Sequence, residues 1–178
     1  AIAVFSPTAA ASLSLRDSTL TANRADDDGD ADGDGGGIYV NLGNGQTATL
    51  ELANSILAGN VDGTGPSHPD LSVLSGGTLT VTSSGFNLVG SNAGAESYLA
   101  DGAPNPSGDY VGTAASPIAP QLNALADNGG FAPDHRPAIV AGTPVIDKGF
   151  CTGSPADQRG YGDAVNHLRI VDTAFANG

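Results

Sequence analysis

A chain of 178 residues with 26 Gly, 11 Pro, no Met or Trp and only 5% aromatic residues has the length of one domain and little material for a large aromatic pocket. Six basic against 19 acidic residues set the net charge at −13, which repels phosphate and anionic lipid and excludes nucleic acid and membrane surfaces as partners. No stretch approaches the roughly 20 apolar residues of a spanning helix, so no transmembrane segment is predicted.

Only Glu51 and Glu96 among the acids are glutamates and Lys148 is the only lysine, a composition of strands and turns rather than of water-facing helices. The start of the chain lacks the charged end and apolar run of a secretory leader. It is therefore expected to be processed, or cut from a longer protein.

In chain order, the first recognisable element is residues 13–23, Leu-Ser-Leu-Arg-Asp-Ser-Thr-Leu-Thr-Ala-Asn. It returns as Leu-Glu-Leu-Ala-Asn-Ser-Ile-Leu-Ala-Gly-Asn at 50–60 and as Leu-Thr-Val-Thr-Ser-Ser-Gly-Phe-Asn-Leu-Val at 79–89. This aligns Leu13 with Leu50 and Leu79, Leu15 with Leu52 and Val81, Leu20 with Leu57 and Phe86, and Ser18 with Ser55 and Ser84 at a polar corner. The intervals of 37 and 29 residues mean a constant unit with variable loops.

Between the first two copies lies the acidic insertion 26–37, Asp-Asp-Asp-Gly-Asp-Ala-Asp-Gly-Asp-Gly-Gly-Gly. Asp28, Asp30, Asp32 and Gly33 fit the first half of a calcium loop, in which alternate carboxylates turn to one centre, and Asp34 adds a further ligand. The place of the usual bidentate Glu falls at Tyr39. Two readings stay open: a calcium site, or a solvated acidic insertion between strands.

Strands are predicted at 38–40 and again at 71–73, each just after polar sequence, and a turn at Gly43, Asn44 and Gly45 leads into the strand 47–52. Alternation within the strands is of period two, with one side chain in and the next out. Three short strands per unit, stacked about 4.8 Å apart, build an aliphatic column, the pattern of a parallel β-solenoid. Residues 1–90 form the repeat region. Residues 91–120 form a Gly/Pro/Ala/Ser-rich connection with a short strand at 109–112, and residues 121–178 a closing segment. In that segment 122–126 is expected as one helical turn, while Pro137, Pro144 and Pro155 prevent long helices.

Three words carry a family resemblance: Gly-Gly-Gly-Ile-Tyr at 35–39, Asn-Ser-Ile-Leu-Ala-Gly-Asn at 54–60, and Ser-Gly-Phe-Asn-Leu-Val-Gly at 84–90. So do Leu-Ala-Asp-Asn-Gly-Gly at 125–130, His135, Gly-Thr-Pro-Val-Ile-Asp at 142–147 and Asp-Gln-Arg-Gly at 157–160. In that order they resemble right-handed parallel β-helix proteins of bacterial surfaces and secretions, with repeats like those of polymorphic outer-membrane proteins. The resemblance implies an all-β, right-handed parallel β-helix with an irregular C-terminal segment packed on the coils. It also implies an extracellular or cell-surface location.

For catalysis the residues offer little. His68, His135 and His167 lack any metal-ligand spacing, so zinc is not expected. No Gly-x-Ser-x-Gly word occurs. Cys151 has neither a disulfide partner nor an assignable base. Arg159 with Asp157 or Asp147 makes a forked pair expected to be architectural, and His135 is expected as a hydrogen-bonded loop residue.

The expected function is a structural or adhesive extracellular module that meets upstream coils or homotypic subunits through its ends, with surface carbohydrate or protein as ligand. The alternative is a carbohydrate-active enzyme, a polysaccharide lyase or hydrolase, on the same scaffold. Against it stand basic residues scattered along the chain rather than gathered against a sugar acid.

Overall fold

A computed structural model of the chain describes residues 1–28, 30, 33–63, 68–129, 132–138, 140, 142–146 and 148–150. The chain divides into two compact units, Ala1–Pro120 and Gln121–Gly178. Among the described residues the structure is all-β, with strands and turns and no helix.

The first unit holds twelve strands: β1 Ile2–Ser6, β2 Ala11–Arg16, β3 Thr19–Leu20, β4 Arg24–Ala25, β5 Ile38–Leu42, β6 Thr47–Ala53, β7 Ile56–Leu57, β8 Val61–Asp62, β9 Leu71–Ser75, β10 Thr78–Ser83, β11 Leu88–Val89 and β12 Tyr110–Val111. They form four parallel sheets, ordered β1-β5-β9, β2-β6-β10, β3-β7-β11-β12 and β4-β8. Strands β1–β10 pair only with their equivalents in other repeats and never with a neighbour in sequence, and β12 adds to the edge of its predecessor β11, also in parallel. Antiparallel hairpins would give the opposite arrangement.

Period-two patterning decides the faces. Ile38, Val40 and Leu42 of β5 are buried and alternate with half-buried Tyr39 and Asn41. In β6, Ala48, Leu50 and Leu52 are buried in the same way. The register stacks Ile2, Ile38 and Leu71 in the first sheet. In the third it stacks Leu20, Leu57, Val89 and Val111. These columns make one apolar core.

The second sheet corrects the predicted ladder. Leu13 stacks on Leu50 and Leu15 on Leu52, as expected. Val81, however, and not Leu79, continues the Leu13–Leu50 column; Leu79 lies over Ala48, and Ser83 over Leu52. The slip is two residues, which leaves every side chain on its own face, so Leu79 is still buried.

Phe86 does not continue Leu20 and Leu57, because Val89 does. Two residues of that offset come from the slip of β10, and one from an extra residue at the third corner. Leu15 to Leu20 and Leu52 to Leu57 are five residues apart, whereas the matching Ser83 and Val89 are six apart. The first two corners each contain one left-handed residue, Asp17 (φ 49°) and Asn54 (φ 50°); the third has two, Gly85 (φ 88°) and Phe86 (φ 61°). Phe86 is turned outward, 45% exposed.

The corners also carry a polar ladder. Ser18 N–H donates to Ser55 Oγ (3.2 Å) and Ser55 N–H to Asn87 Oδ1 (3.0 Å). Asn87 N–H and Nδ2 both donate to Asp109 Oδ1 (3.0 and 2.9 Å). Asn87, rather than the expected Ser84, is therefore the third member.

A second ladder runs from Asn23, whose N–H and Nδ2 donate to Asn60 Oδ1 (3.1 and 2.9 Å). Asn60 N–H and Nδ2 donate in turn to Asp70 Oδ1 (3.3 and 2.9 Å), and Ser91 N–H to Asp70 Oδ2 (2.8 Å). Turn backbone that cannot join the sheets is satisfied by these side chains. Asp70 is 2% exposed, and burial pushes its carboxyl above the usual 3.8 against the lowering effect of its Asn60 and Ser91 donors.

The short strand expected at 109–112 is present as β12. The helical turn expected at 122–126 is not. Residues Leu122 and Ala126 make antiparallel bridges to Pro137 and Asp134. Asn123 N–H donates to Arg136 O (2.8 Å) and Ala126 N–H to Asp134 O (3.1 Å), so the amides a helix would use are taken across the bridge.

Replacing Leu50, 1% exposed between Leu13 and Val81, by Ala is expected to cost about 2–5 kcal/mol in urea unfolding. Asn87→Ala, which strips the acceptor from Ser55 N–H, is expected to cost about 1–3 kcal/mol. A loss below about 0.5 kcal/mol for either, the range of ordinary surface changes, would contradict the stacked arrangement.

Candidate functional site

The loops that precede β5 and β9 bring titratable side chains together. Asp34 lies four residues before Ile38, His68 three residues before Leu71, and Ile38 and Leu71 are register partners. Asp62 ends β8, and Ser72 is the second residue of β9. One ligand-type atom each from Asp34, Asp62 and His68 lies within 4.8 Å of the other two.

His68 Nδ1 is 3.2 Å from Asp34 Oδ1 and 3.4 Å from Asp34 Oδ2. Ser72 Oγ donates to Asp34 Oδ2 (2.6 Å), Gly35 N–H to Asp34 Oδ1 (2.9 Å), and His68 N–H to Asp62 Oδ2 (2.9 Å). Burial raises the Asp34 carboxyl. The Ser72 hydroxyl, Asp62 and His68 outweigh burial and hold it below the usual 3.8.

Serine, histidine and aspartate side by side invite comparison with a nucleophilic triad, but the bonding differs. A triad needs the serine hydroxyl on the imidazole and the imidazole on the carboxylate. Here the Ser72 hydroxyl donates to the acid, its oxygen is 3.5 Å from His68 Nδ1, and Ser72 is 1% exposed. The contact order that activates a triad serine is therefore not present in this cluster.

The described members of the predicted calcium set, Asp28, Asp30 and Asp34, fall into two groups. Asp28 and Asp30 converge with Asp26, while Asp34 belongs to the His68 cluster; Asp32 lies outside the described residues. The pair Arg159 with Asp157 or Asp147, and Cys151, likewise lie outside the described residues. His135 is a hydrogen-bonded loop residue, its Nδ1 2.7 Å from Asn123 O.

No sequence spacing joins Asp62, His68 and Ser72 to Asp34 as one group. Short-spacing metal motifs pair histidine with histidine, whereas the partners of His68 are carboxylates 34 and 6 residues away. The one legible signal was that 34 and 68 precede equivalent strands.

Among the described residues no helix is long and apolar enough to cross a membrane.

Asp34 and Asp70 should titrate on opposite sides of 3.8, Asp34 below and Asp70 above. The stability Asp34 contributes is fully present above 3.8 and is lost as pH falls through its lowered folded value; that of Asp70 is present below 3.8 and is lost as pH rises through its raised one. Carboxyl-carbon NMR titration reads both directly, and a common direction for the two would contradict the packing described. Compared with known proteins, the chain matches no family model, no curated protein and no solved structure.

Proposed function

We propose that this chain is a structural or adhesive module of a bacterial cell surface or secretion, a stretch of right-handed parallel β-solenoid that carries loops on a stiff ladder of strands. One observation supports it most: the same strand order recurs along the chain, with β1–β11 laid parallel on equivalents 31 to 37 residues away, as from Ile2 to Ile38 and from Ala48 to Leu79, and β12 added to β11 at 22 residues. Winding is the simplest path that satisfies this pairing. The right hand is the hand almost all parallel crossovers take.

A ladder of this kind suits a spacer. Its stiffness comes from backbone bonds between repeats, and it tolerates insertions such as 26–37 because loops leave the ladder at the corners. Strands at each end of a sheet, such as β1 and β9, are paired on one side. They offer unpaired backbone groups to a further coil or to a second copy. The acidic surface, with 19 acids against 6 bases, favours ligands recognised by neutral polar contacts, such as surface carbohydrate.

Two measurements test the proposal. Light scattering and electron microscopy across a concentration series should show end-to-end association that grows with concentration, and a strictly monomeric chain would remove the assembly part. A panel of neutral and acidic polysaccharides should give binding without turnover. Turnover of any of them would instead favour a carbohydrate-active enzyme.

A further inference from the structure

Asp34, Asp62 and His68 come from three separate places in the chain, and their ligand atoms meet within 4.8 Å. The contact of His68 Nδ1 with Asp34 Oδ1, 3.2 Å, alone would make an ordinary ion pair. Asp62 is only 9% exposed, yet it is brought to the same point. Two carboxylates and an imidazole converging from different segments are the donor set of a metal site.

We propose that Asp34, Asp62 and His68 form a binding site for a single divalent transition-metal ion of the zinc class. Ligands to such an ion stand about 2.0–2.2 Å from it, which puts neighbouring ligands of a tetrahedral site roughly 3.3–3.6 Å apart. The 3.2 Å between His68 Nδ1 and Asp34 Oδ1 is already close to that edge. An imidazole nitrogen with two carboxylate oxygens selects zinc, cobalt, manganese or iron over calcium and magnesium, which prefer oxygen alone.

The surrounding hydrogen bonds are those that orient metal ligands. Buried Ser72 fixes Asp34 through Oδ2, and the backbone N–H of His68 fixes Asp62 through Oδ2. The imidazole is seated against Gly94. A Cβ built there would lie 2.6 Å from His68 Cδ2 and 2.7 Å from Cγ, and the backbone at Gly94 has φ +81°. Gly94 is a positioning residue for the ring. The Asp34 and His68 side chains remain 35% and 26% exposed, which leaves a route in and a coordination position for water.

The ion would fasten the loop before β5 to the loop before β9, so that metal binding and the stacking of two repeats reinforce each other. This holds whether or not the chain is a surface scaffold.

The test uses the full chain, freed of metal with a chelator and titrated with Zn²⁺ or Co²⁺. Calorimetry is expected to show one ion per chain, Co²⁺ to develop a visible absorption band, and excess Zn²⁺ to raise the melting temperature by roughly 4 °C or more. His68→Ala should weaken binding at least about 100-fold and Ser72→Ala about 10-fold. Gly94→Ala should weaken it without removing a ligand, and the double variant Asp28→Asn with Asp30→Asn should leave it unchanged.

NMR of the unmodified chain gives a readout that no variant's misfolding can blur: Zn²⁺ should shift the ring signals of His68 and leave those of His135 in place. Absence of binding at millimolar Zn²⁺ would overturn the proposal. So would full binding in folded His68→Ala, which would place the ion in the acidic insertion, or Ca²⁺ competing on equal terms with Zn²⁺.

Discussion

The parallel register between equivalent strands is the constraint on which the first unit depends. Its backbone N–H and C=O groups bond from one repeat to the next rather than along the chain, so a strand is satisfied only when another repeat lies on it. The side chains must then meet at equal height. Columns such as Leu20, Leu57, Val89 and Val111 are the result, and they bury apolar surface with small aliphatic residues alone. A chain without Met or Trp can be built this way because no rung needs a large side chain.

Stacking of this kind passes its difficulty to the corners, where the chain turns and backbone groups leave the sheets. Ser18, Ser55, Asn87 and Asp109 meet that need at one corner, and Asn23, Asn60 and Asp70 at another, each accepting or donating to the repeat beside it. A corner can therefore change length without breaking the column. The third one does so by placing Gly85 and Phe86 in left-handed backbone and turning the phenyl ring outward. Buried polar groups that are fully partnered also hold the register against slippage, which purely aliphatic columns of similar residues resist poorly.

The loops are where chemistry accumulates, because the ladder brings equivalent loops together whatever their separation in sequence. Asp34 and His68 are neighbours for that reason, with Asp62 and Ser72 beside them. No local motif encodes this cluster. It follows from laying β5 on β9, which places the two preceding loops side by side.

Much of the scaffold was legible in the amino acids: the strand-and-turn composition, the period-two alternation, and the equivalence of Leu13 with Leu50 and of Leu15 with Leu52. These are local patterns, and local patterns report which face of a strand is buried. The rung that each residue occupies was decided by tertiary structure. Leu79 and Val81 both satisfy the alternation, and only the pairing of β10 with β6 chooses Val81 for the Leu13–Leu50 column. The same holds for the site. The sequence displayed a run of aspartates as if they were one group, and the fold divided them, sending Asp34 to His68 across 34 residues. Side-chain alternation is inherited from the backbone of a single strand, whereas height in a column and company in a loop belong to two repeats at once.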